Sequence, residues 1–145
     1  MSKNLKNNYV KEINDLSKSI FKGNEAKGFW DKRINIGEKL MLVTSELSEA
    51  LEADRKKSMD KTILENFVNE YNNTSDGYVK TQEEIDDNFI ASFKNNIKDS
   101  FQDEIADAII RLLDLSGGLG IDIGTHIELK LKYNATRAHM HGKKY

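Results

Sequence analysis

Apolar residues recur at intervals of three and four along four long segments of this chain, which is the spacing of helices that bury one face. The predicted helices, numbered one to four here, cover residues 4–21, 34–57, 99–115 and 122–139. Gly23 is placed to end helix one, and the run SGGLG at 116–120 is expected to end helix three and form a turn to helix four. Asp122 is a suitable N-cap for helix four. The pattern therefore predicts an all-α fold with a four-helix core.

Residues 58–96 lack a sharp apolar stripe and are interpreted as an insertion between helices two and three. Within it, ILENFVNEY is compatible with a short helix, NNTSDGY has the composition of a turn, and QEEIDDNFIASFKNN contains helix-forming residues. We expect residues 1–145 to form one domain with this helical insertion, since the length suits a single domain.

Two acidic pairs are the main candidates for chemistry. Glu46 and Glu49 lie in helix two beside its apolar stripe, and Glu104 and Asp107 lie in helix three. A spacing of three residues places each pair on adjacent turns of one helix face, close enough to share a cation. Acids that far towards an apolar face are costly to desolvate unless a positive charge meets them. An isolated acidic pair of this kind more often belongs to a solvated helix face. The hypothesis of a site therefore depends on the two pairs together with the cations of helix four.

Helix four carries the complementary charges. Its predicted inward stripe is Ile123, Ile127, Leu131 and Ala138, with Asn134 in the middle and with Lys130 and Arg137 flanking that amide. An amide and two cations on a core-facing stripe favour an anion site. Trp30, the single tryptophan, precedes helix two and is interpreted either as a structural plug or as a surface on which a flat ligand stacks.

Composition narrows the choice of metal and partner. The chain has no cysteine, so a site made of carboxylates favours a hard divalent ion, magnesium or manganese. Lys and Arg number 22 against 24 for Asp and Glu, which gives no support to nucleic-acid binding through bulk charge. No apolar leader or membrane-spanning run is present, and a cytoplasmic protein without membrane partners is expected. Helix three is apolar over most of its circumference, which favours burial of that surface in a homo-oligomer.

Carboxylates around a metal, with cations for phosphates, favour metal-assisted hydrolysis at phosphorus without a covalent intermediate. The segments ELSEALEADR, DEIADAIIRLLDL and KLKYNATRAHMHGKK resemble the MazG-like all-α nucleoside triphosphate pyrophosphohydrolases, relatives of the dimeric dUTPases, and especially their small stand-alone members from phages and mobile elements. The interval 54–97 is longer than in compact members of that family.

The resemblance implies roles for individual residues. Glu46, Glu49, Glu104 and Asp107 would be catalytic ligands of Mg²⁺, for which Mn²⁺ could substitute. Lys130, Asn134 and Arg137 would bind the triphosphate, and Trp30 would lie near the base pocket. The implied enzyme is a homodimer or homotetramer that cleanses the nucleotide pool by releasing pyrophosphate from nucleotides, among them pyrimidine deoxynucleotides such as dCTP or dUTP. The alternatives are a diphosphatase acting on another phosphoanhydride and a non-catalytic helical interaction protein.

Overall fold

The computed structural model describes residues 8–32, 34–56, 59–73 and 81–137. All regular secondary structure in these ranges is helical, which confirms the all-α prediction. The six helices, in chain order, are α1 (Asn8–Ala26), α2 (Ile36–Lys56), α3 (Ile63–Asn73), α4 (Gln82–Asn96), α5 (Phe101–Gly118) and α6 (Ile123–Ala135). None of the helices in the described part is both long and apolar enough to cross a bilayer.

The chain divides into two compact units, which are described separately. Unit one comprises residues 1–40 and 110–145, and unit two comprises residues 41–109. Helices α2 and α5 each contribute a segment to both units, because each helix spans one of the boundaries.

Polar contacts hold α1 of unit one to α6 and to the end of α5. The Ser17 hydroxyl, which is 2 % exposed, donates to the Leu113 carbonyl oxygen at 2.7 Å. The Asn14 side chain donates to Asp122 at 2.6 Å and accepts from the Gly124 backbone N–H at 2.9 Å. Asp122 also caps α6 by accepting from the Thr125 backbone N–H, as predicted. These bonds fix where α6 begins on α1.

Unit two contains an aromatic helix hairpin. Helices α3 and α4 pack through Phe67, Tyr71, Phe89 and Phe93, whose neighbouring ring centroids lie 5.8–6.3 Å apart. Thr81 and Glu84 form a reciprocal capping box that fixes the start of α4. The predicted insertion is therefore helical in both of its predicted helical stretches. Of the predicted turn NNTSDGY at 72–78, the first two residues belong to α3, and residues 74–78 lie outside the described residues.

The predicted end of helix one at Gly23 is wrong, since α1 continues through Gly23 to Ala26. The predicted break at 116–120 comes later than expected, since α5 continues through Gly117 and Gly118, where glycine serves packing. A Cβ at Gly117 would lie 2.6 Å from the Ser17 carbonyl oxygen, and one at Gly118 would lie 2.0 Å from the Trp30 ring. Only glycine admits such close approach. The chain turns afterwards at Gly120, whose φ of +66° favours glycine.

The predicted inward stripe of helix four is also wrong. Gly124 and Glu128 are the buried residues of α6, whereas Leu131 is 57 % exposed and Ile127 is 36 % exposed. Gly124 lies against the Val10 backbone, which brings that face of α6 onto α1. The predicted end at residue 139 is corrected to Ala135, and Ala138 lies outside the described residues. An apolar face of α6 is thus open in the single chain.

We expect opposite effects from adding a methyl group at Gly117 and at Gly23. Gly117→Ala forces the Ser17 carbonyl and the Phe21 side chain away from α5. It should lower the free energy of unfolding by about 2 kcal/mol or more. Gly23→Ala places its Cβ in open space within α1 and should raise the free energy of unfolding by about 0.5–1 kcal/mol. Urea denaturation of both variants measures the difference. Equal effects would contradict the packing role of Gly117.

Candidate functional site

Three of the four predicted metal ligands lie together in unit two. Glu46 and Glu49 come from adjacent turns of α2, and Glu104 comes from the first turn of α5. One carboxylate oxygen from each residue lies within 4.8 Å of the other two. Spacing alone explains why the two glutamates of α2 are neighbours. The fold of unit two then brings the Glu104 carboxylate beside them.

Burial and mutual repulsion make it unfavourable for all three carboxylates of this cluster to be ionised without a cation. Glu46 and Glu104 are each 6 % exposed, whereas Glu49 reaches solvent. Burial is the largest cause that raises the pKa of Glu104, followed by the negative charge of Glu49. The charges of Asp103, Glu46 and Asp107 raise this pKa further. A cation at the centre would relieve both the desolvation cost and the repulsion.

The donor set fits a hard divalent ion. Two oxygen ligands of an octahedral Mg²⁺ ion are at most about 4.2 Å apart, since each bond is 2.0–2.1 Å long. The oxygens of Glu46, Glu49 and Glu104 lie within 4.8 Å of one another, so the three side chains would close further around a bound ion. Ser45 donates to the Glu49 carboxylate at 3.2 Å and helps to orient it. Three carboxylates leave room for water and for substrate oxygens.

Asp107, the fourth predicted ligand, is exposed and is not part of the compact trio. It lies one turn beyond Glu104 on α5, and its charge still contributes to the raised pKa of Glu104. Its role as a metal ligand stays a prediction.

The predicted phosphate-binding residues lie on and just after α6, in unit one. Lys130 and Arg137 are exposed, and both cations lie over the Tyr133 ring, at 5.2 Å and 5.9 Å from its centroid. Asn134 is half-buried, and its side-chain oxygen has no hydrogen-bond partner among the described residues. The arrangement keeps two positive charges and one amide on neighbouring turns, which suits an anion with several oxygens.

Trp30 lies in unit one and is held on several sides. Its indole N–H donates to both oxygens of Asp114, at 3.0 Å and 3.2 Å. The Lys39 ammonium lies 3.7 Å from the ring centroid, and Phe21 packs edge to face at 5.0 Å. Gly118 completes the contact with the ring edge. These contacts are those of a structural plug, and stacking on a base stays a prediction.

Several residues near these groups had no assigned site role in the sequence analysis. Ser45, which orients Glu49, precedes it by one helical turn and could have been identified from that spacing. Lys98 lies in the turn before α5, and the negative charges of Asp99, Asp103 and Glu104 raise its pKa. Helical periodicity could not have identified Lys98, because Lys98 lies outside the helices and the conformation of the turn determines which residues it contacts.

No family model, curated protein or solved structure matches this chain. The case for a site therefore comes from its geometry and from the three sequence segments described above.

Proposed function

We propose that this chain is a magnesium-dependent nucleoside triphosphate pyrophosphohydrolase that converts a nucleotide or deoxynucleotide to its monophosphate and pyrophosphate. The observation that carries the proposal is the convergence of Glu46, Glu49 and Glu104, whose oxygens come within 4.8 Å of one another. Oxygen-only donor sets of this kind are typical of magnesium sites that keep positions open for substrate phosphates. The motifs shared with the MazG-like enzymes support the choice of reaction.

Glu46, Glu49 and Glu104 would hold Mg²⁺, with Mn²⁺ as a possible substitute, and Asp107 would complete the carboxylate set. When bound, the ion withdraws charge from phosphate oxygens and lowers the pKa of a coordinated water. A carboxylate of the cluster orients the attacking water and accepts its proton. The water oxygen bonds to the α-phosphorus, the bond from that phosphorus to the bridging oxygen breaks, and pyrophosphate leaves with the bonding electrons.

We propose that Lys130, Asn134 and Arg137 bind phosphate oxygens of the substrate, as the resemblance implies. The two cations share the Tyr133 ring, which supports a common orientation for both side chains. Guanidinium and ammonium groups bind phosphate oxygens through charge-assisted hydrogen bonds, and an amide adds one directional bond. The proposed role of the enzyme is cleansing of the nucleotide pool.

We also propose that the enzyme is a homodimer or homotetramer. Large apolar side chains of α2, α5 and α6 are exposed in the single chain. Six of them are each between 42 % and 57 % exposed: Leu47, Leu51, Ile109, Ile110, Leu112 and Leu131. Contiguous exposed apolar surface is uncommon on monomeric proteins and is typical of interfaces. A second copy of the chain is the simplest occupant of such faces.

The experiment that tests the function is product analysis with a panel of ribonucleoside and deoxynucleoside triphosphates in the presence of Mg²⁺. We expect equal amounts of monophosphate and pyrophosphate, loss of activity with EDTA, and recovery when Mg²⁺ or Mn²⁺ is restored. Anion-exchange chromatography separates the products, and nucleoside diphosphates serve as control substrates.

Each other outcome contradicts the proposal in its own way. Release of orthophosphate and a diphosphate would place cleavage at the β–γ bond, and activity only on other phosphoanhydrides would change the substrate class. A correctly folded protein without turnover on any of these compounds would favour a helical interaction protein.

A further inference from the structure

Unit two contains a cleft of about 330 Å³ that the proposed metal site does not use. Its walls come from the end of α2, the start of α3, the end of α4 and the turn leading into α5. The volume is within the range of pockets that bind small molecules. The cleft therefore has room for a compact organic group.

The cleft lies next to the carboxylates along two helices. On α2, Ala53 and Lys56 line it, and they follow Glu49 by four and seven residues. On α5, Phe101 lines it and precedes Glu104 by three residues. Residues at these intervals share a helix face, and the axial separation is about 5–10 Å. A ligand anchored by its phosphates at the carboxylates can therefore extend into the cleft.

Two amides at the cleft wall have a fixed orientation. Asn95 and Asn96 both line the cleft, and the Nδ2 atom of each donates to a different oxygen of Glu70 at 2.7 Å. A carboxylate only accepts hydrogen bonds, so it selects the amide nitrogens. These two bonds also lower the pKa of Glu70, which keeps it ionised. The amide oxygens are then the groups left to accept from a ligand.

The other walls suit a nucleoside. Ile63 and Phe101 supply apolar surface for the face of a ring. Lys56 and Lys98 line the cleft together with Asp60 and Asp99, and the Lys98 ammonium donates to Asp99 at 2.7 Å, so charged groups of both signs surround the cleft. Apolar surface with a few oriented polar groups is the usual composition of a specific ligand pocket.

We infer that this cleft binds the nucleoside part of the substrate, with Asn95 and Asn96 reading N–H groups of the base and Glu70 holding both amides in that orientation. The inference rests on the proposed function, whose metal site supplies the phosphate end of the ligand. A pocket built to hydrogen-bond a substrate N–H discriminates strongly against an analogue that lacks it, because the acceptor is then left unpaired. Glu70 is a positioning residue, since it acts through the two amides.

The inference is tested with Asn95→Ala and Glu70→Gln in the full chain, with dCTP and dUTP as the two substrates. Asn95→Ala removes one acceptor and should raise KM for the preferred substrate about tenfold, with kcat changed less than twofold. In Glu70→Gln, an amide at 70 offers one donor and one acceptor, so one asparagine turns over and presents Nδ2 to the cleft. We expect this to be Asn95, because the Asn96 amide nitrogen also donates to the Ser92 carbonyl oxygen at 2.9 Å. The ratio of kcat/KM for dCTP over dUTP should then fall about tenfold, because dCTP carries the amino group.

Gln82→Ala is the matched control, because Gln82 is an exposed amide of the same helix that donates to Asp86 at 2.8 Å and does not line the cleft. It should leave KM and the substrate ratio unchanged. The rise in Tm on adding Mg²⁺ should be the same in all variants, since none of them removes a metal ligand.

The two hypotheses fail in different ways. Hydrolysis with unchanged KM and unchanged substrate ratio in both variants would overturn the nucleoside cleft and leave the reaction intact. If no nucleotide is hydrolysed, nuclear magnetic resonance shows whether the cleft binds a nucleotide. The protein is titrated with dCMP or dUMP to about 10 mM. Shifts of the Asn95 and Asn96 side-chain amide signals would support the cleft, and their absence would overturn it.

Discussion

Glu104→Gln is expected to abolish hydrolysis while making the metal-free protein more stable. Glutamine keeps the shape of the side chain but removes a ligand charge from the trio with Glu46 and Glu49. Loss of groups that merely orient metal ligands costs about 10–100-fold in activity, so loss of a ligand should cost at least about 1000-fold. Without metal, the same change removes the repulsion among buried carboxylates and should raise the free energy of unfolding by about 1 kcal/mol.

The pH dependence follows from the same cluster. The pKa of Glu104 is higher in the folded protein than its ordinary value, so the folded state binds more protons than the unfolded chain. The contribution of this group to stability is therefore greatest at low pH and is lost as the pH rises through the folded pKa. In EDTA, wild-type protein should lose stability over that interval and Glu104→Gln should not. Mg²⁺ should raise the Tm of wild type at pH values above that interval and have little effect on the variant.

Glu52→Gln is the matched control for this comparison. Glu52 lies on the same helix as Glu46 and Glu49, but it is exposed and pairs with Arg55 at 2.9 Å. Its replacement should change activity less than twofold and stability by at most about 0.5 kcal/mol. Undiminished hydrolysis by Glu104→Gln, or an equal loss in Glu52→Gln, would show that the trio is not the metal site.

The helices that carry the acidic pairs could be predicted because their information is local. The apolar period located α2 and α5 to within a few residues, and the interval of three placed Glu46 beside Glu49. Asn35 accepts from the Glu38 backbone N–H, and the Ser100 hydroxyl accepts from the Asp103 backbone N–H. Each helix therefore begins two residues after its predicted start. Such caps decide boundaries that periodicity leaves open.

The glycines show where local information ends. A run of glycine after an apolar helix is compatible with a break, and it is equally compatible with a helix that another chain segment approaches closely. Gly117 is helical and admits the close approach of the Ser17 backbone, and Gly118 is helical and admits that of the Trp30 ring. Both partners are distant in sequence, so no local pattern distinguishes the two outcomes.

The buried face of α6 could not be predicted for the same reason. Its most apolar stripe contains Ile127 and Leu131, yet Gly124 and Glu128 face the interior of unit one. Gly124 lets α6 approach the Val10 backbone, and Glu128 lies buried with Lys132 on one of its oxygens at 3.0 Å. The apolar stripe is then available for a contact outside the single chain, which a pattern of hydrophobicity cannot distinguish from an internal core.

Asn95 and Asn96 were hidden for a different reason. They end a helix whose sequence has a weak apolar period, and their partner Glu70 is 25 and 26 residues away. Amide side chains are common at helix ends, and no spacing in the sequence predicts which residue they bind. Only the packing of α3 against α4 brings the carboxylate to both of them.

Asp114→Ala is expected to be among the most destabilising single changes in unit one. Asp114 is 7 % exposed and accepts hydrogen bonds from the Trp30 indole N–H at 3.0 Å and from the Lys39 ammonium at 3.4 Å. Alanine leaves both donors without their acceptor in a largely buried environment and should lower the free energy of unfolding by about 3 kcal/mol. That loss is a large fraction of the stability of a typical domain, about 5–15 kcal/mol.

Fluorescence measures this change directly, because Trp30 is the only tryptophan in the chain. Release of the indole from Asp114 and from the Phe21 edge should shift its emission to longer wavelength before global unfolding, and urea denaturation supplies the free energy. Asp114→Asn keeps an acceptor for the indole but loses the charge that pairs with Lys39, so it should cost about half as much. Lys39→Met removes the cation alone and should leave the emission maximum near that of wild type. An Asp114→Ala protein with unchanged emission and an unchanged urea midpoint would mean that glycine packing, and not this carboxylate, holds Trp30 in place.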